Sequence, residues 1–93
     1  MYYIVIQYSM SKISLLKLIW DDWNTEHIKK HSLSREEVEE AIQNINAHRK
    51  GNNGRILLIG RSGTRILSIV LGQKMEQKYY VITARDANKK ERI

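Results

Sequence analysis

The chain has 93 residues, which suits one domain and is too short for two domains that each bury a core. It contains no cysteine, which excludes disulfides, a thiol nucleophile and any cysteine-ligated metal centre. Sixteen Lys and Arg against ten Asp and Glu give a formal charge of +6, which favours an anionic partner. We expect a single domain over residues 1–93 with its core at about 15–92. Met10 offers a second start position, which would make residues 1–9 an upstream extension.

The net positive charge of the chain comes entirely from its second half. Residues 1–50 carry seven Lys and Arg against seven Asp and Glu, whereas residues 51–93 carry nine against three. This asymmetry is typical of a nucleic-acid-binding face, although a solvated basic surface would give the same count.

The N-terminal region is apolar in patches. Polar residues at Gln7, Lys12 and Lys17 interrupt it, so no run approaches the roughly 20 apolar residues of a membrane span. A basic segment and a small-residue cleavage site are both missing, which argues against a signal peptide. We therefore expect a cytoplasmic protein with no membrane association, whose N-terminal segment adds an edge strand or mediates self-association.

The first half predicts one strand and two helices. Residues 15–20 form an apolar run that stops at two aspartates, which is typical of a strand. Asn24 is suited to cap a short helix that runs to about His31. Ser34 and Glu37 have the spacing of a capping box, and the apolar stripe after them predicts a second, amphipathic helix.

The second half predicts consecutive strands. A turn-rich segment precedes expected strands at 55–60, 64–71 and 78–84, and a short helix is expected from Ala87 to about Arg92. The resulting order predicts an α+β fold: a small, mostly antiparallel sheet of about four strands, packed with two N-terminal helices and a short C-terminal helix.

Strand alternation gives expected positions for the arginines of this half. Arg65 shares one face of its strand with three large apolar residues, and Arg85 ends the strand face that begins at Tyr79. Because these strands are antiparallel, Arg65 and Arg85 are expected to converge at one sheet edge, with Arg61 in the neighbouring turn. Converging guanidinium groups can clamp a phosphate, although structural salt bridges would use the same residues.

Several short motifs are informative in combination. They are Trp20-Asp21, Asn24, Lys30-His31 and Ser34-x-Glu36-Glu37, then Gly54-Arg55, Ile59-Gly60-x-Ser62, Arg65-x-Leu67, Ile82-Thr83-Ala84-Arg85 and Glu91-Arg92. In this order and spacing they resemble the BrnT family, toxins of bacterial type II toxin–antitoxin modules, over about residues 18–92. One departure is the turn after Lys30-His31, where most members have a glycine and this chain has Ser32-Leu33.

The resemblance implies a RelE/ParE-like fold and a ribonuclease that cleaves mRNA and thereby inhibits translation. It also implies a DNA-binding antitoxin as partner, BrnA-like or other, with operator DNA contacted only through that antitoxin. No cofactor is implied.

The chemistry of RNA cleavage suggests roles for particular residues. The 2′-hydroxyl attacks the adjacent phosphate, so the enzyme must assist proton transfer and stabilise the added negative charge. We expect Arg65 and Arg85 to contact the phosphate as catalytic residues. His31 is the expected acid or base, because imidazole titrates near neutral pH, although a histidine at a helix C-terminus can simply cap carbonyls.

Four further residues are expected to contact RNA: Arg55, Arg61, Tyr80 and Arg92. His27 and His31 have the i, i+4 spacing of two zinc ligands, but no third ligand motif supports a metal site, and none is expected. The alternative to an enzyme is a non-catalytic protein on the same fold that binds nucleic acid or the antitoxin, a degenerate toxin.

Overall fold

The chain folds into a mixed sheet with two helices on one of its faces. A computed structural model describes residues 2–8, 14–75 and 78–91. In chain order the elements are β1 (Tyr2–Tyr8), β2 (Ser14–Trp20), α1 (Asp22–Lys29), α2 (Arg35–Gln43), β3 (Ile45–Lys50), β4 (Arg55–Ser62), β5 (Arg65–Met75) and β6 (Lys78–Asp86). The α+β class is therefore confirmed.

The sheet has six strands in the order β1-β2-β6-β5-β4-β3, so the expected number of about four was too low. Neighbouring strands are antiparallel except β2 and β6, which are parallel. The additional strands, β1 and β3, form the two edges. β1 fulfils the expectation of an N-terminal edge strand. β3 escaped the sequence analysis because five of its six residues are exposed, which leaves no alternation of apolar and polar residues to detect.

Both predicted helices exist, and capping boxes begin them. The α2 box is the predicted one: Ser34 Oγ accepts from the Glu37 amide at 3.2 Å, and the Glu37 carboxylate accepts from the Ser34 amide at 3.0 Å. The cap of α1 is Asp21, and the prediction of Asn24 as cap was wrong. Asn24 occupies the third helical position, fully buried, where its side-chain amide donates to the Ile19 carbonyl at 2.9 Å.

The hydrophobic core lies between the two helices and one face of the sheet. Its members are Leu18, Trp20, Ile28, Leu33, Val38, Ala41, Ile42, Leu58, Leu67, Ile69, Leu71, Val81 and Ala84. Gly60 lets α2 approach β4 closely, because a Cβ at this position would overlap the Ala41 carbonyl oxygen. Within the described residues, the opposite face of the sheet carries no helix, and we call it the open face.

A β-bulge in β6 changes which side chains share a face. Leu71 pairs with Val81 but Val70 pairs with Thr83, so Ile82 is an extra residue that reverses the alternation beyond it. Arg85 consequently pairs with Ser68 on the open face, whereas Asp86 pairs with Leu67 on the core face. The expectation that Arg65 and Arg85 converge was wrong, because the two guanidinium groups lie on opposite faces of the sheet.

The segment after β6 is a turn where a helix had been predicted. Residues 89–91 form this turn, and two hydrogen bonds close it. The Asn88 amide donates to the Glu91 carboxylate at 2.9 Å, and the Glu91 amide donates to the side-chain oxygen of Asn88 at 3.0 Å. The segment starts at Ala87, whose amide donates to the Ile66 carbonyl at 2.8 Å. Arg92, at the end of the predicted helix, lies outside the described residues.

Candidate nucleic-acid interface

A basic groove of about 610 Å³ crosses the open face. Leu57 and Val70 line its floor, and three cationic residues of the open face surround it: Arg49 from β3, Arg55 from β4 and Arg85 from β6. Lys50 also lines the groove, but it pairs with Ile56 at a core-face position of β3. Arg49 and Arg55 are exposed to solvent. Glu91 is the one carboxylate among the lining residues, so the groove has an excess of positive charge over an apolar floor.

Arg85 and Glu91 form the clamp that holds the C-terminal segment against the sheet. The two guanidinium Nη atoms donate to the two carboxylate oxygens at 2.9 and 3.0 Å, which is bidentate geometry. Ser68 Oγ donates to the same carboxylate at 3.3 Å. The hydrogen bonds from Arg85 and from the Asn88 amide lower the pKa of Glu91 below its ordinary value.

This clamp predicts a specific dependence of stability on pH. A carboxyl whose pKa is lower in the folded than in the unfolded state stabilises the fold above its ordinary pKa and loses that contribution as the pH falls through the folded value. The wild type is expected to exceed Glu91→Gln in free energy of unfolding by about 1 kcal/mol near neutral pH. The difference should shrink towards zero as the pH falls below about 4, the ordinary carboxyl range. Urea unfolding of both proteins across this range measures it, and a difference that is constant with pH would contradict the account.

Arg65 is on the core face, where it joins three segments of the chain. Its Nε and Nη2 donate to the two carboxylate oxygens of Asp86, each at 3.0 Å. Its Nη1 donates to the Glu37 carboxylate at 3.1 Å and to the Ser32 carbonyl at 2.9 Å. The hydrogen bonds and charges of Asp86 and Glu37 raise the pKa of Arg65, so the guanidinium stays charged.

The turn that Arg65 holds follows α1 and contains Ser32 and Leu33. Ser32 has a φ of 58°, a left-handed conformation that favours glycine. Arg65 therefore supports a turn whose backbone is unfavourable for serine.

Two further predicted site residues, Arg61 and His31, lie in different parts of the molecule. Arg61 is exposed on β4 and pairs with Ile66 on the open face, not in a turn. His31 lies in the turn after α1, its ring at the edge of the His27 ring with 6.2 Å between centroids. It is absent from the residues that line the basic groove. The structure thus places Arg55 and Arg85 together and leaves Arg65 and His31 elsewhere.

Tyr80 is bound to the cap of α1. Its hydroxyl donates to the two carboxylate oxygens of Asp21 at 2.9 and 3.1 Å. Partial burial and the adjacent carboxylate raise the pKa of Tyr80 to about 12, so its hydroxyl keeps its proton at neutral pH. In turn, the backbone hydrogen bond from Asn24 and the bond from Tyr80 lower the pKa of Asp21.

Sequence reasoning missed one candidate on β3. Arg49 lines the basic groove and an adjoining cavity of about 420 Å³, which Lys90 and Glu91 also line. His48 lines this cavity as well, but it pairs with the buried Leu58 at a core-face position. The basic run His48-Arg49-Lys50 was visible in the sequence, but it gave no reason to place Arg49 in the same groove as Arg85. That placement depends on the recognition of β3 as an edge strand.

Two further findings concern metals and membranes. Among the side chains that the structure describes, no group of three or more His, Asp or Glu residues is arranged to hold a metal ion. No helix in the described ranges is long and apolar enough to cross a membrane.

The comparisons with known proteins identify the class of the chain. The family model described as "Ribonuclease toxin, BrnT, of type II toxin-antitoxin system" matches residues 20–91, which is most of the chain. The protein therefore belongs to the BrnT family of toxins, and membership implies an antitoxin partner. Searches among curated proteins and among solved structures gave no match.

Proposed function

We propose that this protein is a metal-independent endoribonuclease that cleaves mRNA and inhibits translation as the toxin of a type II module. The observation that carries this proposal is the basic groove of the open face, where three arginines surround an apolar floor. Such a groove attracts the phosphates of a single strand and leaves its bases to contact apolar or aromatic surface.

The reaction requires only groups that side chains supply. The 2′-oxygen loses its proton to a base and bonds to the adjacent phosphorus, while the bond from phosphorus to the 5′-oxygen breaks and that oxygen receives a proton. The products are a 2′,3′-cyclic phosphate and a 5′-hydroxyl end. Arginines beside the phosphorus stabilise the additional negative charge of the transition state.

The positions of the side chains favour particular roles. We assign Arg85 to the reacting phosphate, with Arg49 and Arg55 along the strand. Arg65 is assigned a structural role, since four acceptors on the core face already occupy its guanidinium.

The partner and the setting follow from the family. We propose that the antitoxin, BrnA-like or other, is a DNA-binding protein that carries the toxin to operator DNA, and that the protein acts in the cytoplasm. An acidic antitoxin segment in the basic groove would exclude RNA by occupying the same arginines.

Regulated expression in a bacterial host tests the proposed activity. The wild type should arrest growth and produce discrete mRNA fragments that end in 2′,3′-cyclic phosphates. Growth arrest with intact mRNA would contradict ribonuclease activity. Co-expression of the cognate antitoxin, as the matched control, should restore both growth and intact mRNA.

One observation favours a second candidate, a non-catalytic nucleic-acid- or antitoxin-binding protein. Glu91 holds the Arg85 guanidinium in the bidentate manner that a phosphate would use. If the clamp does not open for RNA, the groove can bind a strand through Arg49 and Arg55 without cleaving it. RNA binding by the purified protein with no cleavage and no toxicity would support this candidate.

A further inference from the structure

An aromatic cluster beside the basic groove has no role in the chemistry proposed above. Its centre is Trp23 on α1, which is 60% exposed although it is one of the largest apolar side chains. The indole is stacked on the His27 ring with 4.9 Å between centroids and an interplanar angle of 7°. The Tyr80 ring lies 6.5 Å from the indole.

The sheet register places Tyr80, the member of the cluster that belongs to the sheet, on the same face as the groove. Tyr80 of β6 pairs with Gly72 of β5, and Gly72 pairs with Arg55 of β4. Paired residues share a face, and neighbouring strands are about 4.8 Å apart, so the backbones of Tyr80 and Arg55 are separated by about 10 Å. A few nucleotides of a single strand are enough to connect the two sites.

Hydrogen bonds fix the orientation of the cluster. Asp21 caps α1, which carries Trp23, and also accepts both hydrogen bonds of the Tyr80 hydroxyl. His27 supports the indole ring by stacking parallel to it. The exposed area of Trp23 is therefore presented as a flat surface whose position is set before a ligand arrives.

A cation next to the Tyr80 ring fits a phosphate-linked ligand. The Lys74 ammonium lies 5.6 Å from the centroid of that ring. A cavity of about 480 Å³ beside Trp23 and His27 is lined by Lys30 and also by the carboxylates of Asp22 and Glu26, so the positive charge for a phosphate comes from Lys74. Aromatic rings with an adjacent lysine are an arrangement by which proteins stack the bases of single strands and attract the linking phosphates.

We propose that Trp23, supported by His27 and flanked by Tyr80, is a stacking platform for a base of the single-stranded RNA whose phosphates occupy the basic groove. This inference rests on the proposed function, because it extends the RNA path from the arginines across the open face. An exposed tryptophan can also anchor a protein partner. Continuity with the groove through Tyr80 and the adjacent Lys74 favour RNA.

The test compares two probes on the full chain. One is a short single-stranded RNA of mixed sequence, 2′-O-methylated so that it cannot be cleaved. The other is an abasic oligonucleotide with the same number of phosphates.

Trp23→Ala should weaken binding of the RNA by about tenfold and leave binding of the abasic probe unchanged. The double variant Arg49→Ala, Arg55→Ala should weaken binding of both probes. The RNA, but not the abasic probe, should quench the fluorescence of the exposed Trp23.

A matched control separates stacking from a general loss of apolar surface. Met75 is exposed to nearly the same extent, 61%, and Met75→Ala should change neither affinity. If Trp23→Ala weakens binding of both probes equally, or of neither, the proposal that Trp23 stacks on a base is wrong. An unchanged affinity for both would leave a protein partner such as the antitoxin as the ligand of Trp23. If the wild type binds neither probe, the proposed function fails and the platform fails with it.

Discussion

Replacement of Arg65 by alanine is expected to lower the free energy of unfolding by about 2–3 kcal/mol. The substitution removes four short hydrogen bonds at once and leaves the Glu37 carboxylate and the Ser32 carbonyl without this donor. The Arg65 side chain is only 30% exposed, so water replaces the lost bonds incompletely. Chemical unfolding followed by circular dichroism measures the change.

Arg65→Lys and Lys29→Ala are the controls for this prediction. Lysine keeps the charge but cannot form the bidentate pair with Asp86, so Arg65→Lys should recover part of the loss. Lys29 forms an exposed ion pair with Glu26 on α1, and its replacement should cost less than about 0.5 kcal/mol. A loss below about 1 kcal/mol for Arg65→Ala would show that its contacts do not hold the turn after α1.

Replacement of Arg85 by alanine is expected to lower the rate of mRNA cleavage by about a hundredfold or more. Loss of one donor aimed at the developing charge of a transition state typically has this effect. The measurement is the initial rate of cleavage of one mRNA in a bacterial translation extract, which supplies ribosomes if the reaction needs them. The folded state of the variant is checked by circular dichroism.

The Glu91→Gln variant shows whether Arg85 contacts the reacting phosphate or only holds the C-terminal segment in place. If Arg85 serves only to hold Glu91, this variant should lose as much activity as Arg85→Ala. If Arg85 contacts the reacting phosphate, Glu91→Gln should retain activity or exceed the wild type, because the guanidinium is released from its competing carboxylate. Equal losses in the two variants would assign Arg85 a structural role.

Local signals in the sequence were sufficient to predict much of the fold. The capping box at Ser34 and Glu37 and the apolar stripe after it defined α2, and two apolar segments on either side of a short glycine-containing connection located β4 and β5. The cap of α1 was misplaced because Asn24 and Asp21 are both good capping residues. The structure distinguishes them by burial, since Asn24 uses its side chain for the buried bond to Ile19.

The positions of the candidate-site residues could not be predicted, because they depend on a bulge and an edge strand that leave no local pattern in the sequence. Residues 81–83 contain no glycine or other indication of a bulge, yet the single extra residue there moves Arg85 to the other face of the sheet from Arg65. Edge strand β3 is held by its backbone ladder to β4, so its exposed side chains follow no pattern. Pairing across the sheet, which the sequence does not encode locally, determines that Arg49 lies in the same groove as Arg85.

The separation of Arg65 and Arg85 onto opposite faces makes the central claim testable by a direct comparison. Cleavage of one mRNA by Arg65→Ala and by Arg85→Ala should be measured at a low temperature where both proteins are folded, with each rate divided by the folded fraction. If cleavage takes place on the open face, Arg65→Ala should cleave at close to the wild-type rate, and Arg85→Ala should be slower by about a hundredfold. Loss of activity in Arg65→Ala with full activity in Arg85→Ala would contradict it.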